Sequence, residues 1–389
     1  GRVIYSRGFA SIFGEWETIP EARDGWGSFH ESQRFPEPRR PVRLVLKKRG
    51  ADGTFQLLHS RMVDPESRFV NRAKITFKGR NWALMDNGPP EVKADLLIMG
   101  DGYTKREFRK FRSDARRLVD VLFNTEPFLA RRDDFNVRAI HVPAPESGIS
   151  NPRSYVWRDN PLGSSYNSFD LDRYVLTYAN RAVREIAAQV PYDAILILVN
   201  ERKYGGGGIL NLYTTAAAGS RQAPYLIVHE FGHSFAGLGD EYYTSPVAYD
   251  DFLPIGVEPL EPNITALLDP KSLKWWHLLE SDTPIPTPWD QTAFDTVSYA
   301  FQQKRAQLRA KGVSEEVMDG YFREVKEATQ PILQAQTHYG KVGAFEGAGY
   351  QARGLYRPEV DCIMFSRNRP DFCRVCSEAI ETVIDLYAK

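Results

Sequence analysis

The stretch that decides the fold is "ADLLIMGDGYT" at residues 94–104, in which four successive apolar residues run into a Gly-Asp-Gly turn sequence. A short apolar run that ends at turn residues predicts a β-strand. The charged segment at 104–128 has helical character, and "NVRAIHVPA" at 136–144 predicts the next strand. Strands that alternate with helices favour an α/β layer with a mostly parallel sheet.

The same alternation continues for two more elements. Residues 170–190 predict a second helix, and "DAILILVN" at 193–200 predicts a third strand. The fold class that we expect is therefore α/β, or α+β, with a mixed and mostly parallel sheet. Two amphipathic helices are expected between residues 290 and 335, within a helical insertion at about 245–345.

A separate domain is expected before this layer. The segment "VRLVLKKRGADGTFQLL" at 42–58 alternates apolar and polar residues on both sides of an Asp-Gly turn, which is a hairpin pattern. The segment "MDNGPPEVKAD" at 85–95 gathers Asn, Gly and two Pro residues, which interrupt both helices and sheets. We therefore predict a small β-rich, sandwich-like domain at 1–90 and a second domain at 91–389.

The composition excludes several classes of function. Lys plus Arg and Asp plus Glu each number 50, so that the net charge is zero and no overall field attracts nucleic acid or an anionic membrane. The longest apolar runs fall short of the roughly 18 residues that span a bilayer. With 42% apolar residues, the chain should form an ordinary globular protein. We expect no nucleic-acid partner and no transmembrane segment.

The candidate chemistry is concentrated in "YLIVHEFGHSFAGLGDEYY" at residues 225–243. His229 and His233 are four residues apart, so that a helix presents both imidazoles on one face, where they can share a metal ion. Glu230 follows the first histidine and can take a proton from water as the water attacks a carbonyl group. Zn²⁺ is the expected ion, because two imidazoles and a carboxylate form a known catalytic zinc shell.

A third metal ligand is expected just after this helix. Two glycines can end the helix and turn the chain back. Asp240, seven residues after His233, can then reach the metal from a third direction. Glu241 competes for this role, and His277 and His338 are more distant candidates.

Three further features are candidate sites. The glycine-rich segment "YGGGGILNLYTT" at 204–215 is either a flexible loop or a bare backbone edge that an extended ligand can approach. The acidic segments at 240–252 and 258–265 either bind Ca²⁺ or form a solvated loop. Tyr356, or alternatively Tyr350, is a candidate to stabilise the oxyanion of a tetrahedral intermediate.

The three cysteines, Cys362, Cys373 and Cys376, all lie close to the C-terminus. This clustering predicts a local crosslink or a metal clip, and the alternative is a set of reduced thiols in the core. A disulfide bond from Cys362 to Cys373 or Cys376 would suit an exported protein. The chain opens with "GRVIYSRG", without Met or an apolar leader, which favours a processing or cloning boundary at residue 1.

The chain resembles peptidase family M64, the group named for IgA peptidase, which lies within or near the metzincin metalloproteases. The likeness covers roughly residues 93–389, and the β-rich N-terminal part is similar to the accessory domain of some of these enzymes. The blocks that carry it are "ADLLIMGDGYT", "FNVRAIHVP", "LVNERKYGGGGILNLYTT", "HEFGHSFAGLGDEYY", "VGAFEGAGY", "GLYRP", "DCIMF" and "FCRVC". Ala236 stands where the wider metzincin pattern has glycine, and Asp240 comes one residue late.

The resemblance implies roles for further residues. Met364 in "CIMF" is similar to the methionine turn beneath the zinc, where a thioether packs under the ligand imidazoles. Gly206, Gly207 and Gly208 would form the edge strand beside the cleft, to which a substrate adds as another strand.

The function that we expect is a secreted zinc endopeptidase, with Glu230 as general base, that cleaves host or environmental proteins or glycoproteins. Immunoglobulins and mucin-like proteins are candidate substrates, and we expect a bacterial protein that is secreted, periplasmic or on the cell surface. The alternative is a non-catalytic surface protein that binds a glycan or a protein around a structural metal. Such a site is closed by four protein ligands and needs no base, so the presence of Glu230 favours the enzyme.

Overall fold

The structure is a computed structural model that describes residues 2–73, 75, 78–249 and 252–388. Its helices are α1 (Ile12–Trp16), α2 (Glu21–Asp24), α3 (Phe108–Leu122), α4 (Asn180–Ala187), α5 (Ala223–Ala236), α6 (Gln291–Ala310), α7 (Glu315–Gln334) and α8 (Arg374–Tyr387). Its strands are β1 (Val42–Arg49), β2 (Phe55–Val63), β3 (Arg80–Met85), β4 (Ala94–Asp101), β5 (Phe135–His141), β6 (Ser164–Ser165), β7 (Leu176–Thr177), β8 (Ala194–Val199), β9 (Gly206–Ile209), β10 (Tyr213–Ala217), β11 (Phe345–Ala348) and β12 (Gln351–Arg357). No helix within the described ranges combines the length and the apolar character that crossing a membrane requires.

The central layer is a six-stranded sheet in the order β3-β5-β4-β8-β10-β9. The four inner strands are parallel to one another. The two edge strands, β3 and β9, pair antiparallel with their neighbours. The mixed, mostly parallel sheet predicted from the sequence is therefore confirmed.

Alternate residues of β4 belong to two different core clusters, because successive side chains of a strand point to opposite faces. Leu96 and Ile98 share a cluster with residues of α3, α5 and α8, whereas Leu97 and Met99 share one with residues of α4 and with Ile12 of α1. Both faces of the sheet are thus covered, which explains the uninterrupted apolar run of β4. The first of these faces carries α5, the helix that contains "HEFGH".

Helix α4 is shorter than the helix predicted at 170–190. The hydroxyl of Thr177 accepts a hydrogen bond from the N–H of Ala179, and such a local bond competes with helix formation. The first half of the segment instead runs beside the edge strand β9, where the carbonyl of Arg173 accepts a hydrogen bond from the N–H of Gly206 at 3.2 Å.

The N-terminal region differs from the predicted sandwich. It contains the expected hairpin of β1 and β2 around Gly53, but this pair forms a sheet of two strands and no more within the described residues. Both strands are exposed along most of their length. The domain boundary expected at residue 90 also assigns β3 to the N-terminal domain. However, β3 pairs with β5 and so belongs to the central sheet. Local alternation predicts a strand but does not say with which distant strand it pairs.

The two helices predicted between residues 290 and 335 are present as α6 and α7. Each begins at a side-chain cap, from Asp290 and Ser314 respectively. A small apolar cluster around Tyr321 and Phe322 joins them, and the ring of Phe322 lies 5.8 Å from that of Tyr204. The insertion therefore packs against the start of the glycine-rich segment.

Candidate active site

Helix α5 positions two of the predicted ligands. It has Pro224 in its first turn and ends at Gly237, whose left-handed backbone (φ 65°) reverses the chain. His229 and His233 lie one turn apart, with ring centroids separated by 4.8 Å. The reversal at the helix end brings Asp240 back to the same two rings.

Three potential ligand atoms converge at this point. Oδ1 of Asp240 lies 3.0 Å from Nε2 of His229 and 3.2 Å from Nε2 of His233. The two Nε2 atoms are themselves 3.2 Å apart. Ligands placed at about 2.0–2.1 Å around a tetrahedral zinc ion are spaced by about 3.3 Å. The triangle therefore has the dimensions of three ligands around one ion.

Backbone carbonyl groups fix the orientation of both rings. Nδ1 of His229 is 3.0 Å from the carbonyl oxygen of Ile363, and Nδ1 of His233 is 2.6 Å from that of Leu238. A carbonyl oxygen can only accept a hydrogen bond, so each Nδ1 carries a proton and donates it. When the imidazoles are neutral, as metal binding requires, Nε2 presents its lone pair toward the centre of the triangle.

The carboxylate of Asp240 fits a bound cation. Its Oδ2 accepts a hydrogen bond from the hydroxyl of Tyr350 at 2.6 Å, whereas the buried Oδ1, which faces the two Nε2 atoms, makes no hydrogen bond of normal geometry with the described residues. A buried carboxylate oxygen without a partner is costly. A metal ion at the centre of the triangle would satisfy this oxygen and both imidazole nitrogens, so the residues present fit the group.

The charges around the triangle also favour a cation. Burial lowers the pKa of His233, but the carboxylates of Asp240 and Glu230 outweigh this effect and raise it to about 9. Burial disfavours the ionised form of Asp240 as well, yet the two imidazoles hold the pKa of this carboxyl well below its usual range. Both shifts mean that positive charge is stabilised beside Asp240.

Glu230 lies between the histidines and the edge strand β9. Burial raises the pKa of its carboxyl, and the two neighbouring imidazoles offset part of this rise. A Cβ atom at Gly206 would lie 3.4 Å from Cγ of Glu230, and one at Gly208 would lie 2.2 Å from its carbonyl oxygen. The missing side chain at Gly208 therefore allows α5 to approach the strand closely.

The glycines predicted to face a substrate thus have a different structural role at two of three positions. β9 is an edge strand, but Gly206 and Gly207 are buried. The backbone of residues 173–175 forms hydrogen bonds with both the N–H and the carbonyl group of Gly206. A Cβ atom at Gly207 would lie 2.5 Å from the ring of Tyr174. Gly208 is partly exposed. Tight packing, rather than a bare edge, explains most of the glycine run.

Comparison with known families agrees with this geometry. Residues 82–384 match the family described as IgA Peptidase M64, and residues 1–60 match the Peptidase M64 N-terminus. The chain belongs to peptidase family M64. It is therefore a peptidase that acts on protein substrates, from a family of metallopeptidases. A comparison with curated proteins found no match.

Met364 of this M64 peptidase lies beneath the helix that carries the histidines. It is fully buried, and a Cβ atom at Gly232 would lie 3.3 Å from its sulfur atom. Its carbonyl oxygen accepts a hydrogen bond from the N–H of Glu241 at 2.9 Å, and the residue before it orients the ring of His229. The segment expected to form a methionine turn therefore contacts both the helix and the loop that follows it.

Two residues close to the site were not identified from the sequence. Nη2 of Arg173 lies 3.4 Å from the hydroxyl oxygen of Tyr242, and its charge acts on both Glu230 and Asp240. The ring of Tyr242 is stacked at 6.5 Å from that of His229. An arginine in a segment predicted to be helical carries no local signal, whereas Tyr242 is visible as part of "DEYY" after the predicted ligand.

Of the two candidate tyrosines, Tyr350 contacts a predicted ligand and Tyr356 does not. Tyr350 donates its hydroxyl proton to Asp240, as described above. Tyr356 lies on β12 opposite Glu346, and its backbone pairs with Thr265. None of the contacts described for it reaches the histidines.

Glu241, the competing third ligand, points toward the cysteines instead. Its Oε1 lies 3.4 Å from Sγ of Cys376. All three cysteines are free, and the Sγ atoms of Cys362 and Cys376 are 3.9 Å apart, compared with about 2.05 Å in a disulfide bond. The disulfide expected from the sequence is therefore not formed.

The described carboxylates of the acidic segment do not gather around one ion. Asp240 and Glu241 belong to separate clusters, and residues 250–251 lie outside the described ranges. Within those ranges, just two groups of three or more His, Cys, Asp or Glu side chains lie close enough to share an ion, namely the histidine triangle and the cysteine cluster. His277 is exposed at the surface and His338 follows α7, so neither joins the triangle.

Proposed function

We propose that this M64 peptidase is a zinc-dependent endopeptidase in which His229, His233 and Asp240 hold the metal and Glu230 is the general base. The observation that carries this proposal is the triangle of two imidazole nitrogens and one unpartnered carboxylate oxygen beside a buried glutamate. Two imidazoles and a carboxylate are a donor set typical of catalytic zinc. A bound zinc ion supplies Lewis-acid polarisation of the scissile carbonyl group and of the attacking water.

Glu230 moves the proton in this proposal. Its carboxylate accepts a proton from the attacking water and delivers it to the nitrogen of the leaving amine. Burial raises the pKa of Glu230, which suits a group that must take up and release a proton during one turnover.

Arg173 and Tyr242 stabilise the oxyanion of the tetrahedral intermediate. The support for this role is their mutual contact beside Glu230 and His229, together with the fixed positive charge of Arg173. Preorganised donors of this kind act on charge that develops in the transition state.

The substrate that we propose is an extended segment of a secreted glycoprotein, such as an immunoglobulin or a mucin-like protein, and the enzyme itself is secreted. The description of the family as an IgA peptidase supports this choice. A metzincin-like architecture is supported by the antiparallel edge strand β9 beside the zinc helix and by Met364 beneath it. The substrate would pair with β9 near the partly exposed Gly208.

Replacement of Glu230 by Gln tests the mechanism. The amide keeps the size of the side chain but cannot accept the proton, so peptide hydrolysis should fall by roughly 10²- to 10⁴-fold. Zinc content and the circular dichroism spectrum should not change. Activity is measured with a peptide library, with and without a chelator.

Glu378→Gln is the matched control, because Glu378 lies on α8 at the surface and contacts His277. It should retain the activity of the unmodified chain. Undiminished hydrolysis by the Glu230→Gln variant would contradict the proposal, and so would activity that survives complete removal of metal.

A further inference from the structure

A second group of potential metal ligands lies next to the active site. One ligand atom from each of Glu241, Cys362, Cys373 and Cys376 lies within 4.8 Å of the others. All four side chains are completely buried. Two of the cysteines form a Cys-x-x-Cys sequence, a spacing that recurs in structural zinc sites.

The distances in this group match a tetrahedral ion rather than a disulfide bond. In zinc sites the ion lies about 2.3 Å from a sulfur ligand and about 2.0–2.2 Å from a carboxylate oxygen. Tetrahedral geometry then places two sulfur ligands about 3.8 Å apart, and a sulfur and an oxygen ligand about 3.5 Å apart. The Sγ atoms of Cys362 and Cys376 are 3.9 Å apart. Sγ of Cys376 and Oε1 of Glu241 are 3.4 Å apart.

Backbone N–H groups donate hydrogen bonds to the sulfur atoms. The N–H of Cys373 lies 3.3 Å from Sγ of Cys362, and the N–H of Cys376 lies 3.5 Å from Sγ of Cys373. Cys373 is the N-cap of α8, so that the positive end of the helix faces the cluster. Both effects stabilise thiolates, the form in which cysteine binds a metal.

One of the two carboxylate oxygens of the buried Glu241 has no hydrogen-bond donor among the described residues. Oε1 accepts a hydrogen bond from Nδ2 of Asn263 at 2.9 Å, but the buried Oε2 has no hydrogen-bond partner in the part of the chain that the structure describes. Arg357 is a buried cation that acts on Glu241, yet its guanidinium donates to the carbonyl oxygens of Gly347 and Val360. Burial raises the pKa of Glu241, so its ionised form beside three sulfur atoms needs a further positive charge.

We propose that Glu241, Cys362, Cys373 and Cys376 bind a second Zn²⁺ ion through three thiolates and one carboxylate. Four protein ligands close the coordination sphere, so the site is structural and not catalytic. Binding displaces the three thiol protons to solvent and changes no oxidation state.

The second ion would join three segments that support the active site. Glu241 directly follows Asp240, whose carboxylate faces the histidines. Cys362 precedes the residue whose carbonyl orients His229. Cys373 begins α8, which packs against α5. No residue is shared with the histidine triangle, so this proposal does not depend on the catalytic one.

Zinc analysis of the full chain, purified with its metal retained, tests the proposal. The unmodified chain should contain two zinc ions, and the His229→Ala, His233→Ala double variant should contain one. X-ray absorption by the double variant should show three sulfur ligands at about 2.3 Å and one light-atom ligand. Denaturation without reductant should expose three titratable thiols.

Glu241→Gln should weaken zinc binding in the double variant by more than roughly tenfold, measured by competition with a chelator. The matched control is Glu359→Gln, because Glu359 is buried near the cluster and contacts Arg369 and the N–H of Arg374 but is not one of the four ligands. It should leave zinc affinity unchanged. If the double variant does not fold, the unmodified chain still decides, with an expected average of three sulfur ligands per two zinc ions.

A double variant without zinc, a zinc ion without sulfur ligands, or a disulfide bond among the three cysteines would overturn the second site. None of these results bears on catalysis. Conversely, failure of the Glu230→Gln experiment would leave the sulfur-ligated ion in place.

Discussion

Single residues that do not touch the metal determine the geometry of the proposed catalytic site. The carbonyl groups of Ile363 and Leu238 fix which nitrogen of each imidazole faces the centre. The hydroxyl of Tyr350 donates a hydrogen bond to Oδ2 of Asp240, so that Oδ1 can bind the ion. Such outer partners orient ligands and strengthen metal binding.

The contact between Tyr350 and Asp240 gives a prediction at this scale. Tyr350→Phe keeps the ring, which packs 5.5 Å from that of Tyr242, but removes the hydrogen bond to the carboxylate. Metal affinity of the active site should fall by roughly 10- to 100-fold. The measurement is the chelator concentration that halves peptidase activity. Tyr299→Phe, on the exposed side of α6, is the control and should leave this concentration unchanged.

Equal chelator sensitivity of the Tyr350→Phe variant and the unmodified chain would show that the hydroxyl does not support Asp240. In that case the short hydrogen bond between them would have no part in metal binding.

At the scale of helices and strands, the sequence predicts what depends on local pattern. The apolar run of β4, the four-residue spacing in α5 and the helix end at Gly237 are all readable from the printed residues. The return of Asp240 toward the two histidines also follows from this helix end, because a left-handed residue reverses the direction of the chain.

Features that depend on distant parts of the chain were not predictable in this way. The pairing of β3 with β5 is a long-range contact, and the same alternation would suit a strand of either domain. The neighbours Asp240 and Glu241 have similar side chains, and only the positions of the histidines and the cysteines show that they face different clusters. Arg173 reaches the site because α4 begins later than its sequence suggests.

At the scale of the whole molecule, the N-terminal segment is part of the surroundings of the active site. The N–H of Ala10 donates to the carbonyl of Leu210, just beyond the edge strand. Glu15 of α1 is buried and accepts hydrogen bonds from the hydroxyls of Tyr174 and Tyr249. Residues of the segment 1–60, which matches the M64 N-terminus, are therefore in direct contact with residues of the segment 82–384, which matches the M64 peptidase family.

Glu15 gives this contact a pH dependence. Burial raises the pKa of its carboxyl to about 7, from 4.5 for an ordinary glutamate, and the two tyrosines offset part of the rise. Between these values the folded chain binds more protons at this group than the unfolded chain does, so the contribution of Glu15 to stability falls as the pH rises. The loss is complete above about pH 7 and amounts to at most about 3 kcal/mol.

Glu15→Gln removes this titration, because the amide stays neutral and its oxygen can still accept both hydrogen bonds. The free energy of unfolding of the variant should therefore rise relative to that of the unmodified chain between pH 5 and pH 7, in denaturant titrations at fixed zinc concentration. Glu17→Gln, at the exposed C-terminal cap of the same short helix, is the control. A difference between Glu15→Gln and the unmodified chain that stays constant across this range would contradict the assignment.

The most direct test of the catalytic site is anomalous diffraction at the zinc absorption edge, from crystals grown with zinc. We predict a peak about 2.0–2.1 Å from Nε2 of His229, Nε2 of His233 and Oδ1 of Asp240, with Glu230 beside it and not bound to it. An ordered triangle without such a peak, or a fourth protein side chain that completes the coordination, would contradict the assignment of this site to metal-dependent peptide hydrolysis.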